Sequence, residues 1–516
     1  MTTRKHSART IWLGGIFVAL ALAAGLALFA GRSSRAIPKS FEELDAAPRI
    51  FPDYVETTIP VNLAPTNFRI EEEGEAYLTR VSVPDGSEIR VAGRSAVFPE
   101  KAWRKALSAA ADKSLEFEIF VKRDGAWKKY RSFPISVSSE KIDPWLAYRL
   151  IEPGYEFGHR ICLAQRSLEG FREEVFADNR AASTSPCLNC HSFQDRKTKR
   201  FLFHFRQNGN EDIPGGTIVV DGKKISKVAA KFEGTGTSCT YPAWRPTGDL
   251  VAFSANQTRQ FFHSLSPQKI EVYDAISDLV LYDVAKNEIA PIFNTLDDFE
   301  TFPSWSPDGR SLYYCVAHVE LKTPPTDMEK RAIEASGRID EFRYNIMKID
   351  FDETTKTFGE PQMVVDAASK GRTALFPRIS PDGNWLLYTV AESGTFPIWR
   401  PEADLWIKDL RTGEERPIDA INSDNTESYH TWSSSGKWIV FSSRRVDGQY
   451  TRLYFSHIDE SGRGTKPFSL PQKDPESDRF RFKSYNVPEL IVEPIDVDER
   501  AIVDAFNAES LPTASR

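Results

Sequence analysis

Phe302-Pro303-Ser304-Trp305-Ser306-Pro307-Asp308-Gly309 runs into the apolar residues 311–315, and this stretch decides how most of the chain folds. Proline presets φ for a turn, and glycine accepts the positive φ that closes it. The aromatic and β-branched run that follows reads as a strand. The pattern occurs three more times. Tyr241-Pro242-Ala243-Trp244-Arg245-Pro246-Thr247-Gly248 precedes residues 250–254, and Phe376-Pro377-Arg378-Ile379-Ser380-Pro381-Asp382-Gly383 precedes 385–389. A degraded copy, Tyr429-His430-Thr431-Trp432-Ser433-Ser434-Ser435-Gly436, precedes 438–442. The Trp or Ile of each copy falls at 244, 305, 379 and 432, giving spacings of 61, 74 and 53 residues. The aromatic that opens each copy is expected to pack between neighbouring sheets.

A second strand with an Asp/Gly turn follows the motif, most plainly in residues 404–414 and 278–284. Strand–turn units repeating at this period indicate blades of a β-propeller. An earlier blade is predicted around residue 193, because Phe193 to His204 spans the same 11 residues as Trp244 to Ala255. Residues 201–203 are then expected as its inner strand and 216–222 as its next hairpin. Five blades are recognisable in 186–475, and a sixth is expected from residues 492–497 or from strands upstream. The fold class is therefore all-β. Residues 47–140, with alternating runs at 76–83 and 115–121, read as a small β-sandwich-like domain interrupted by a short helix at 103–111. Residues 32–46 read as a polar linker, 141–185 as a connector and 476–516 as a C-terminal tail.

The strongest chemical signal is Cys187-Leu188-Asn189-Cys190-His191, the C-x-x-C-H of c-type haem attachment. Two thiols at this spacing can add to the two vinyl groups of one haem, and the histidine that follows supplies the proximal nitrogen. A zinc site needs two further ligands at characteristic spacing, and the sequence has no second C-x-x-C and no H-x₃₋₅-H. One covalent haem c is expected. His204, 13 residues after His191 in an aromatic strand-like segment, is the leading candidate for the sixth iron position. Met328, Met347, Met363, His159 and His263 are the alternatives. Arg206 is a candidate partner for a haem propionate. Of the remaining cysteines, Cys162, Cys239 and Cys315, the last reads as core filler in its strand.

The 516 residues are 41% hydrophobic and 27% charged, enough to bury a sizeable core. The net charge of −7 is spread without a basic block, which argues against nucleic acid as a partner. Residues 11–31 are an uncharged run of 21 residues after Arg4, Lys5 and Arg9. At about 1.5 Å per residue such a helix crosses a hydrocarbon core of about 30 Å. A single-pass inner-membrane anchor is expected, preceded by a cytoplasmic segment at 1–10, with a cleaved signal peptide as the alternative. Haem attachment outside the cytoplasm puts the body in the periplasm.

The four turn motifs resemble the WD40-like PD40 repeats of TolB-type propellers. With residues 59–68, 150–156, 187–193, 203–206 and 483–489, the chain resembles periplasmic TolB-like proteins that carry a cytochrome c motif. The resemblance implies the domain plan and haem attachment, and it brings no substrate. Three functions follow as expectations. The first is electron transfer with a redox partner at the inner membrane. The second is a protein-binding propeller for an envelope partner, with a structural or sensory haem. The third is a haem enzyme of peroxidase or reductase type. The lone haem motif favours a carrier or binding protein over an enzyme.

Overall fold

A computed structural model describes residues 35–152, 160–181, 187–206, 215–230, 239–263 and 268–515. The apolar run at 11–31 and His159 lie outside them, and among the described residues no helix is long and apolar enough to cross a membrane. The chain forms two compact units. One comprises residues up to Glu56, Pro65–Val137 and Gln472–Glu476; the other comprises Thr57–Ala64, Ser138–Pro471 and Ser477–Arg516.

The smaller unit is built on alternation. In Lys113–Arg123, Leu115, Phe117 and Ile119 are buried while Glu116 and Glu118 face outward, which is the period of a half-buried strand. This strand pairs with Ala76–Ser82, Ala126–Lys129 and Phe133–Ser138, and a second sheet joins Ile50–Phe51, Phe68–Ile70 and Ser95–Ala96. The helix Glu100–Ala109 buries Trp103, Ala106 and Leu107, and Trp103 stacks on Phe98 at 5.2 Å. Part of the expected linker is structured. Glu42–Glu43 pairs in parallel with Lys128 and Lys129, where like charges on one strand meet opposite charges on the other.

The larger unit has a propeller-like architecture of six sheets, antiparallel except where Ala514–Ser515 adds in parallel to Glu288–Pro291. Five follow one another in the chain, with innermost strands Cys187–Gln194, Thr240–Trp244, Asp298–Trp305, Thr373–Ile379 and Glu427–Trp432. The sixth takes its outer three strands from Trp145–Ile151, Ile161–Ser167 and Glu173–Asp178, and its innermost from Ser484–Ile491. Each innermost strand packs beside the next, and Ser484–Ile491 packs beside Cys187–Gln194, closing the circle. The connector at 141–185 and the tail after 476 thus supply a blade between them, and residues 492–497 form no strand of it. The helix Glu499–Asn507 inserts Phe506 against Phe203 and Phe205 of the cysteine-bearing sheet.

The turn motif explains the geometry. Ser306 Oγ lies 2.6 Å from Asp308 Oδ1 and accepts the Ser311 N–H at 3.0 Å, while Gly309 sits at φ +68°. The motif's own aromatic–Pro–x–Trp segment is the innermost strand, and the run after the turn is the second. By the same register residues 201–203 lie in the second strand, Lys197–Arg206, rather than the inner one. The opening aromatics pack against one another from one sheet to the next, and Phe302, Phe376 and Tyr429 belong to a core shared by neighbouring sheets. Tyr241, Phe302, Phe376 and Tyr429 adopt φ between +33° and +57° at a bulge in each inner strand. That conformation aims them at the axis, where successive ring centroids are 4.5, 4.4 and 4.5 Å apart. Val487, also at positive φ, holds the equivalent place in the sixth blade, and Cys190 holds it in the cysteine blade.

Candidate functional site

Cys187 and Cys190 lie on the strand Cys187–Gln194, and its register shifts between Leu188 and His191. In an unbroken strand, residues three apart face opposite ways. The bulge cancels this, and both partly buried cysteines border one cavity of about 630 Å³ at the mouth of the ring. Tyr241, Tyr429, Phe396, Trp399 and Phe262 line it.

The cavity is cationic. Arg149, Arg206, Arg259 and Arg444 line it, whereas its acid, Glu152, is paired with Lys483 at 2.9 Å. Arg149 donates to Cys187 Sγ at 3.6 Å, and its buried Nε has no acceptor. Arg444 lies 3.3 Å from the centre of the Trp399 ring and donates to the Ile398 carbonyl at 2.7 Å. Burial pulls its guanidinium down to about 9. Burial also pushes the Cys190 thiol and the Tyr241 and Tyr429 phenols up, opposed at Cys190 by Arg149 and Arg206.

His191 pairs across the strands with Phe203, on the face where Phe193, Phe201 and Phe203 form a core. Its side chain is fully buried, 5.6 Å from the Phe193 ring, and it does not line the cavity. Neither ring nitrogen has a hydrogen-bond partner; Glu489 Oε1 is 3.9 Å from Nε2. Burial, aided by Arg149, holds the imidazole down at about 3, so it is neutral. His430 holds the same position two blades back, two residues before Trp432 as His191 is before Phe193. There the nitrogens are engaged, Nε2 with the Leu387 carbonyl at 3.2 Å and Nδ1 with Thr389 Oγ1 at 3.5 Å.

His204 is not brought opposite His191. It follows Phe203 on the second strand, so alternation turns it to the other face, the one on which Leu202 packs with Trp244 and Phe253 of the next blade. It is fully buried there, and burial holds it down at about 3. The two histidines cannot flank one macrocycle in this arrangement. Met328, Met347, Met363 and His263 do not line the cavity either, and Arg206 does. Sequence reading missed Arg149 and Arg444, which come from the sixth and fifth blades. Only the closure of the ring brings them to the cysteines.

A covalently held haem asks for two thiols on one space, cations for its propionates and an imidazole with no other partner. The thiols and the arginines meet this at the cavity, and His191 meets it in its two unpaired nitrogens. Its direction differs, since iron ligation requires the ring to turn out from beneath the strand. Among the described residues no three His, Cys, Asp or Glu are grouped to hold a metal ion.

No family profile and no curated protein matches the chain. Solved structures that align with it include a prolyl endopeptidase at 14% identity, covering 64% of this chain and 42% of that one, with a TM-score of 0.35. Prolyl oligopeptidase B from Galerina marginata, bound to a 35mer substrate, aligns at 11% identity over 80% of this chain and 54% of that one, with a TM-score of 0.35. The chain thus spans about half the length of these peptidases.

Proposed function

We propose that this protein is a monohaem c-type cytochrome of the bacterial envelope, anchored in the inner membrane by residues 11–31, whose propeller presents the haem to a redox partner. The carrying observation is the C-x-x-C-H at the axial position of an inner strand, with both sulfurs on a cationic, aromatic-walled cavity. When bound, the haem supplies a one-electron redox centre. Cys187 and Cys190 would hold it by thioether bonds, and Arg149 and Arg206 would neutralise its carboxylates.

His191 would supply the iron-ligating imidazole nitrogen. Burying an unpaired polar side chain costs roughly 1–3 kcal/mol. Turning the imidazole out relieves that cost, and its neutral state leaves a nitrogen lone pair available. Phe262, 53% exposed at the end of the strand Leu250–Phe262 and lining the cavity, offers an apolar contact for a partner. The TolB-like reading of the sequence agrees with an envelope location.

The test is an absorbance spectrum of protein matured in a host that makes cytochromes c, oxidised and then reduced with dithionite. Sharp α and β bands on reduction, absent from Cys187→Ser/Cys190→Ser protein, are expected. Colourless wild-type protein overturns the proposal.

A further inference from the structure

One wall of the cavity beside the cysteines comes from the fourth and fifth blades, in Phe396, Ile398, Trp399, Arg444, Gln449 and Tyr450. Arg444 follows directly on the strand Trp438–Ser443, and only 3% of it is exposed. Its guanidinium is fixed from two sides, with Nε donating to the Ile398 carbonyl at 2.7 Å and Nη1 to the Gln449 carbonyl. The guanidinium carbon lies 3.3 Å from the centre of the Trp399 ring.

These contacts hold the charge in place without neutralising it. Nη2 donates to no acceptor among the described residues, and it is not sealed off from the cavity that Arg444 lines. Asp447, whose charge opposes the effect of burial on Arg444, is itself engaged: it pairs with Arg452 at 2.8 Å and accepts the Gln449 and Tyr450 N–H groups at 2.8 and 2.9 Å. The acid of the cavity, Glu152, is held by Lys483, and Arg149, Arg206 and Arg259 add further positive charge to the same space. A buried cation without a counter-charge is costly, and a guanidinium fixed by two of its nitrogens is preorganised for an anion at the third. The wall around Nη2 is aromatic. Trp399 and Phe396 are half-buried, Phe396 lies 6.0 Å from the Tyr429 ring, and Tyr450 follows the residue whose carbonyl holds Nη1.

We propose that this wall binds a carboxylate attached to a flat conjugated ring, the oxygens taken by Arg444 Nη2 and the ring seated among Phe396, Trp399 and Tyr450. A separate aryl acid and a haem carboxylate not taken by Arg149 or Arg206 share this chemistry. The wall is present whether or not the cysteines carry a haem.

Calorimetric titration of the full chain, made without haem, with 2-naphthoate, 2-naphthamide and inorganic phosphate tests it. Binding of the acid is expected, weakened roughly tenfold or more in the amide and in Arg444→Gln, as loss of one charge-assisted bond predicts. Phe396→Leu keeps the apolar bulk and leaves Arg444 untouched, so a roughly two- to tenfold loss is expected from the missing ring contact. Circular dichroism checks the folding of both variants, and the contrast between acid and amide on wild-type protein needs neither. Repeating the titration on protein matured with haem separates the sources: binding lost there indicates that the haem's own carboxylate fills the wall, and binding retained indicates a separate acid. A colourless product removes the haem source and leaves the aryl acid, so this proposal and the haem reading fail separately. No binding of the acid, equal binding of acid and amide, phosphate as strong as the acid, or a folded variant of either residue that binds like wild type each overturns the proposal.

Discussion

Replacing His191 and His430 by leucine in protein made without haem should change stability in opposite directions, although the two histidines occupy the same place in two blades. Both are buried and neutral, and both are pulled down to about 3 by burial. They differ in their partners. His191 has none, so leucine, of similar volume, removes an uncompensated desolvation of about 1–3 kcal/mol and should stabilise the protein by up to that amount. His430 bonds the Leu387 carbonyl, and leucine there strands a buried acceptor, which should cost about 1–3 kcal/mol. The assay is urea unfolding followed by tryptophan fluorescence, above the ordinary histidine titration range. The gap between the variants should reach roughly 2–6 kcal/mol on these terms. Two destabilised variants of similar midpoint would refute the reasoning, because His191 would then be a satisfied core histidine.

Glu300 is buried beside Asp278 and Asp298, and burial with those neighbours pushes its carboxyl up to about 8. An acid whose folded pKa is raised stabilises fully below its unfolded value of 4.5 and loses that contribution as pH rises to 8. Glu300→Gln should therefore gain stability relative to wild type across that window and level off above it, as urea midpoints at several pH values will show. Glu271 and Arg400 form a buried ion pair at 2.8 Å, so Glu271→Ala, leaving the guanidinium only the longer contact to Glu402 at 3.7 Å, should cost up to about 3–5 kcal/mol by the same unfolding assay. Phe302 packs between the Tyr241 and Phe376 rings on the axis, and Phe302→Ala should cost about 3–5 kcal/mol, whereas alanine at the exposed Met363 should cost under about 0.5 kcal/mol.

The propeller-like body was legible in the sequence because its turns are chemically distinctive: a glycine at positive φ closes the same reversal in all four copies, at Gly248, Gly309, Gly383 and Gly436, and an aromatic opens each of them. The sixth blade was not, because its strands come from 145–178 and 484–491 and carry no such turn, and pairing across more than 300 residues leaves no local trace. The cysteine pair was legible from spacing alone. The direction of each histidine was not, since one bulge decides which way His191 faces, and simple alternation then sends His204 to the far side of its sheet. Arg149 was hidden for the same reason as the sixth blade, being brought to Cys187 only when the ring closes.

The central claim is covalent attachment of one haem through Cys187 and Cys190. Mass measurement of the tryptic peptide containing both residues, after acid–acetone extraction of protein matured with the cytochrome c machinery, tests it most directly. The account predicts that this peptide carries the mass of exactly one haem. An unmodified or disulfide-linked peptide from the same preparation would contradict it.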